Sequence, residues 1–140
     1  MKEFVLHSQL AADCALVGDL PLSRVLLLND GRYPWVVLVP RRADIREIYQ
    51  LNPDDRQQLL AESCLAGEVL MRSFDGEKLN IGALGNMVPQ LHVHHIVRRH
   101  DDPAWPGPVW GHSPAVAYQP QQLHERLTLL RGALGTVDIA

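Results

Sequence analysis

The chain has 140 residues, a mass of 15.7 kDa and a formal net charge of −3. That length suits a single domain spanning residues 1–140, which buries roughly 68–70% of its unfolded surface and supports a core without staples. A composition that is 46% apolar and 21% charged excludes general disorder, and the mild acidity argues against a nucleic-acid partner. No stretch approaches the ~18 uninterrupted apolar residues of a membrane span. The N-terminus carries Glu3 and no long apolar block, so it does not read as a signal peptide. Cys14 and Cys64 form no CxxC pair, which excludes a cysteine zinc site, and reduced thiols in a cytoplasm are expected.

Val25–Leu28 is a strand-like run, and Asn29-Asp30-Gly31 reads as a turn. Trp35–Val39 is a second run closed by Pro40, so an antiparallel pair is expected. Asn52 is a good N-cap, with Pro53 at the first helical position and Asp54 and Asp55 near the positive end of the helix dipole. Leu60, Cys64, Met71 and Phe74 recur at helical spacing, as do Leu59, Ala66 and Leu70, giving a wide apolar face on a scaffold helix that ends at Asp75-Gly76. Cys64 reads there as a small buried apolar residue. Lys78–Ala83 and Leu91–Arg98 read as further strands, joined through Leu84-Gly85-Asn86. The segment at about 101–120 holds five prolines with Trp105, Trp110 and Tyr118, so it is no long helix and is too aromatic for a free linker. Gln121–Leu130 reads as a short helix ending near Gly132. Strands with one long inserted helix indicate an α+β fold with an antiparallel sheet.

The informative segment is Val88-Pro89-Gln90-Leu91-His92-Val93-His94-His95-Ile96-Val97-Arg98. In a strand, alternate side chains share a face. Gln90, His92, His94, Ile96 and Arg98 fall on one face, and Leu91, Val93, His95 and Val97 on the other, which is the core face. Two imidazoles and an amide then stand in a row, each about 6–7 Å from the next. Three readings compete. These are ordinary sheet histidines; or His92 and His94 share a metal ion, for which His100 and His112 are the only further candidate ligands and no acidic cluster helps; or an imidazole nitrogen attacks phosphorus while neighbouring donors stabilise the phosphoryl oxygens.

The run Val88–Arg98 resembles the signature of the histidine triad (HIT) superfamily, His-φ-His-φ-His-φ-φ with φ apolar. The better register starts at Gln90, because it places the family's Val at Val88 and its trailing Arg at Arg98. The resemblance implies that His92 is the nucleophile, that His94 contacts the phosphate, and that Gln90 replaces the first histidine. Glutamine exchanges hydrogen bonds but carries no proton as a general acid at neutral pH. Val25–Asn29 followed by Trp35–Pro40 resembles the family's first hairpin, so Asn29 inherits a contact near ribose and phosphate. Asn80, on the strand before the triad, and Asn86, four residues before Gln90, inherit phosphate contacts. Together the likeness covers about Leu22–Arg99, and Trp105–Gly111 resembles the C-terminal segment of a bacterial branch.

What the resemblance implies is a HIT-like fold, with a sheet of about five strands, one long helix and short C-terminal elements. The implied activity is a nucleotide hydrolase acting at the α-phosphate of a dinucleoside polyphosphate, such as diadenosine tetraphosphate, or of a nucleoside phosphoramidate. A nucleotidyl-histidine forms on His92, with one ring nitrogen held by a backbone carbonyl. The alternative is a nucleotide-binding or sensing module, or a nucleotidyl transferase, that hydrolyses little because Gln90 replaces histidine. The expected ligand is a purine nucleotide, its base sandwiched near Leu22, Val25 and Leu27. The scheme requires neither a metal nor another cofactor, and the family's usual assembly is a homodimer. His95 is expected to be a core-face histidine with a partner, and packing is the favoured role for Trp105 and Trp110.

Overall fold

A computed structural model describes residues 2–139. Five strands form one antiparallel sheet: β1 (Cys14–Asp19), β2 (Ser23–Leu28), β3 (Trp35–Pro40), β4 (Lys78–Gly82) and β5 (Val93–Arg98), in the order β1-β2-β3-β5-β4. Helix α1 (Ser8–Asp13) precedes the sheet, α2 (Pro53–Ser73) connects β3 to β4, and α3 (Pro120–Leu134) follows it. This is the expected α+β architecture, with β1 and α1 added ahead of the first expected strand.

Helix α2 starts as its sequence dictates. Asn52 Oδ1 accepts from the Asp55 N–H at 2.8 Å, Pro53 takes the first turn, and two aspartates follow. Its buried stripe, however, is Asp55, Leu59, Glu62, Ala66, Gly67 and Leu70. Leu60 points outward at 66% exposure and Cys64 is exposed, contrary to the stripe expected through them. The reason is Glu62. Its carboxylate accepts from the N–H groups of Leu22 and Ser23 at 2.8 and 2.9 Å, so the helix turns an acid inward to serve the start of β2. Gly67 lets the helix lie close, since a Cβ there would stand 2.6 Å from Leu79 Cδ2.

Both faces of the sheet are covered. On one, Val25, Leu27, Val36, Leu38 and Val97 pack with Ala66 and Leu70 of α2 and Leu130 and Leu134 of α3. On the other, Leu26, Trp35, Val37 and Ile96 pack with Leu10, Ala104 and Val109, and Phe4, Leu6 and Trp110 close over them. Helix α3 runs past Gly132 because Leu134 is still needed in the core, and it ends at Gly135 in the left-handed region (φ 66). Strand β5 begins at Val93 rather than Leu91. The preceding residues leave the ladder because their hydrogen bonds go elsewhere: Leu91 N–H donates to Ile45 O at 2.8 Å.

Candidate active site

Cross-strand partners share a face, and register therefore sorts the histidines. His94 pairs with Val37 on β3 and Gly82 on β4, while His95 pairs with Val36 and Ile81. His95 thus faces α2. Its Nε2 lies 2.6 Å from Ser63 Oγ and its Nδ1 3.1 Å from Val93 O, and burial pushes its pKa down to about 4. It is the partnered core histidine expected from the pattern. His94 faces the opposite side, under Trp35 and Trp110.

His92 and His94 meet edge to face, their ring centroids 5.0 Å apart, each only 7% exposed. Their tautomers are set by partners of opposite kind. His92 Nδ1 lies 2.6 Å from the main-chain oxygen of Gln90, which can only accept. The proton of neutral His92 is therefore on Nδ1, and Nε2 carries a lone pair. At His94, Nδ1 accepts from the Trp35 indole N–H at 2.9 Å, and an indole can only donate. Neutral His94 therefore carries its proton on Nε2. Burial first, then the neighbouring His92 and His95, push its pKa down to about 4, so it is a neutral donor at physiological pH. The pair presents one imidazole acceptor beside one imidazole donor.

Two further parts frame it. Arg98, 1% exposed, pairs with Asp102 through two hydrogen bonds of 2.7 and 3.0 Å, donates to Gly107 O at 2.8 Å and to Asn80 Oδ1 at 2.8 Å. This buried cation ties the Pro/Trp-rich segment to the sheet. The segment in turn brings Trp110 to 5.6 Å from the His94 ring, edge to face. Gly82 leaves room for it, because a Cβ there would stand 3.1 Å from Trp110 Cη2. Trp105 lies elsewhere, beneath Arg98 and against His100.

The structure brings His92 and His94 together. It places the other expected residues at a remove. Gln90 precedes β5, and its side chain reaches the N-terminal segment: Oε1 accepts from His7 N–H and Nε2 donates to Val5 O, both at 2.8 Å. Asn80 supports Arg98. Asn29 Oδ1 accepts from Tyr118 N–H at 3.0 Å, at the far end of β2. Asn86 is exposed on the connection between β4 and β5, where Leu84 and Gly85 line a small hollow together with His92, Arg46 and Glu47. Leu22, Val25 and Leu27 do not sandwich a base. All three are at most 1% exposed, and Val25 and Leu27 pack with the α2 face, away from His94. Among the described residues no group of three or more His, Cys, Asp or Glu side chains converges as a ligand set. Trp35 was missed by sequence reasoning. Its signal was there, in an indole on a strand that alternates inward beside the histidine strand and needs an acceptor.

Comparison with known proteins places this geometry. The HIT domain model matches residues 9–101. The chain belongs to the histidine triad family. A solved histidine triad protein from Marinobacter aquaeolei is 51% identical, covers 96% of this chain and 98% of its own, and superposes with a TM-score of 0.94. Relatives from Bradyrhizobium japonicum and Sinorhizobium meliloti are 44% and 43% identical. The first covers 95% of this chain and 99% of its own at a TM-score of 0.93, the second 93% and 96% at 0.90. No curated protein matches the chain significantly. The matched span contains both His92 and His94. No helix of the fold is long and apolar enough to cross a membrane.

Proposed function

We propose that the protein is a nucleotide hydrolase that cleaves at the α-phosphorus of a dinucleoside polyphosphate or a nucleoside phosphoramidate. The observation that carries this reading is the opposed pair of tautomers, a lone pair on His92 Nε2 beside an N–H on His94 Nε2. His92 Nε2 attacks phosphorus and forms a P–N bond, and the bond to the leaving group breaks with its electron pair. The Nδ1 proton stays on His92, held by Gln90 O. His94 Nε2–H donates to a phosphoryl oxygen as negative charge develops there. Water then attacks phosphorus and gives up a proton, the P–N bond breaks, and a nucleoside monophosphate leaves. Asn86 adds a donor from the connection between β4 and β5, and Asn29 acts at one remove by holding the backbone of Tyr118. Asn80 acts at one remove by holding Arg98.

No titratable group stands at position 90, so the leaving group takes its proton from solvent. That favours leaving groups of low basicity, such as a nucleoside polyphosphate, over amines. The same fact supports the second reading, a nucleotide-binding or nucleotidyl-transferring module with little hydrolysis. The site is proposed to work in a cytoplasmic homodimer. Ile48, Leu60 and Ile81, all exposed, line one apolar hollow between the outer side of α2 and the β4 edge, which suits a second copy.

The test is a chromatographic time course on diadenosine tetraphosphate and adenosine phosphoramidate, with and without EDTA. Release of AMP that disappears in His92→Ala supports the hydrolase. Saturable AMP binding without turnover selects the binding module, and a requirement for added metal overturns the metal-free scheme.

A further inference from the structure

Residue 90 works in two directions at once. Its main-chain oxygen fixes the tautomer of His92, and its side chain closes a two-point amide clamp on the backbone of Val5 and His7. The clamp demands one donor and one acceptor on a single planar group, aimed at a C=O and an N–H two residues apart. A carboxamide supplies both. An imidazole directs its donor and acceptor apart around the ring and reaches only one. A carboxylate offers two acceptors and meets Val5 O with the wrong sign. His7 carries the clamp onward, because its Nδ1 accepts from Gln9 N–H at 3.0 Å and caps α1.

The clamped segment lies on the face of the sheet that holds His94. Phe4 and Leu6, which flank Val5, pack on the cluster that contains Trp35, and Trp110 packs on the same cluster, the two indoles against the His94 ring. Both are only partly buried, so they keep apolar surface to offer.

We propose that Gln90 is a positioning residue that latches Val5–His7 across this face, so that Phe4 and Leu6 form a wall of the nucleoside pocket. Its side chain exchanges no proton with substrate. This rests on the assignment of the His92–His94 pair as the nucleotide site.

The test uses the full chain and its variants Gln90→Ala, Gln90→Glu and Gln90→His. Three quantities are measured: exchange of the His7 amide by NMR, the Kd of AMP by calorimetry, and kcat and KM on diadenosine tetraphosphate. In Gln90→Ala the His7 amide exchanges roughly tenfold faster, and Kd and KM rise about tenfold while kcat stays within about threefold. Gln90→Glu keeps the His7 contact and falls between. Gln90→His matches Gln90→Ala in all three. A Gln90→His variant with raised kcat and intact His7 protection overturns the proposal, because position 90 then carries proton chemistry. Unchanged exchange and KM in Gln90→Ala overturn it equally. If the unaltered protein turns over no substrate, the hydrolase reading fails while exchange and AMP affinity still decide the latch. If AMP does not bind it at all, the wall is overturned.

Discussion

Trp35 and His94 are joined by a 2.9 Å hydrogen bond from an indole that can only donate to an imidazole nitrogen that must therefore accept. This bond decides which nitrogen of His94 faces the site with a proton. The donor role proposed for His94 thus depends on a tryptophan on the neighbouring strand.

Trp35→Phe keeps an aromatic ring and removes the donor. The His94 Nδ1 acceptor is left unpaired in a buried setting, and the other tautomer becomes accessible. The expected result is a kcat lower by about tenfold, with stability reduced by about 1–3 kcal/mol for the lost bond and the smaller ring. Nitrogen-15 NMR of the imidazole in the absence of substrate checks the cause. A His94 that stays protonated at Nε2 in the variant sinks the argument.

Stability falls on mild acidification. His94 and His95 have folded-state pKa values depressed to about 4 by burial, against an ordinary value near 6.5. Below 6.5 the unfolded chain takes up protons that the folded chain refuses, so the unfolded state gains. The loss begins as pH drops below 6.5 and levels off near 4. Between pH 7 and 5 it amounts to roughly 2 kcal/mol per histidine. Urea unfolding at the two pH values measures it, and His95→Gln should remove about half of the slope. A midpoint that does not move between pH 7 and 5 contradicts both assignments.

Breaking the Arg98–Asp102 pair is costly because it strands a buried charge. Asp102→Ala leaves the Arg98 guanidinium with Asn80 and Gly107 O as its remaining partners, at a cost of about 3–5 kcal/mol. Because the pair anchors the segment that presents Trp110, turnover should fall in Asp102→Ala even at temperatures where the protein remains folded. Thermal unfolding and kinetics together test this. A variant with lost stability but unchanged kcat and KM would separate the anchor from the site.

Glu62→Ala should destabilise by about 2–4 kcal/mol, because two buried N–H groups, of Leu22 and Ser23, lose their acceptor. Glu62→Gln keeps one acceptor oxygen and should cost less. Denaturant midpoints rank the two, and equal midpoints would mean that water replaces the carboxylate.

How much of this was legible depended on the range of the cause. The start of α2 is written within four residues, Asn52 to Asp55, and its cap forms as read. The histidine faces follow from a period of two, and β5 places His94 and His95 on opposite sides accordingly. The inward side of α2 was not legible in the same way. Apolar spacing admits two neighbouring stripes, and the choice between them is made by Glu62, whose partners lie about forty residues earlier. Cys64 followed the wrong stripe for that reason. The asparagines show the same limit. Asn29 and Asn80 look alike as candidate phosphate contacts, yet one is engaged by Tyr118 and the other by Arg98.

By itself the sequence determined the α+β class, the capped helix, and a strand that turns His94 and His95 to opposite faces. These are local matters, set by side-chain periodicity and by the hydrogen-bonding capacity of single residues. Only the tertiary structure decided what each imidazole can do. The proton positions depend on the Gln90 carbonyl for His92 and on the Trp35 indole, 59 residues away, for His94. It alone showed that the Gln90 amide serves Val5 and His7 across more than eighty residues of chain. A hydrogen bond is directional and short, so its partner is settled by where the folded chain brings a donor and an acceptor within reach, and no spacing along the sequence encodes that.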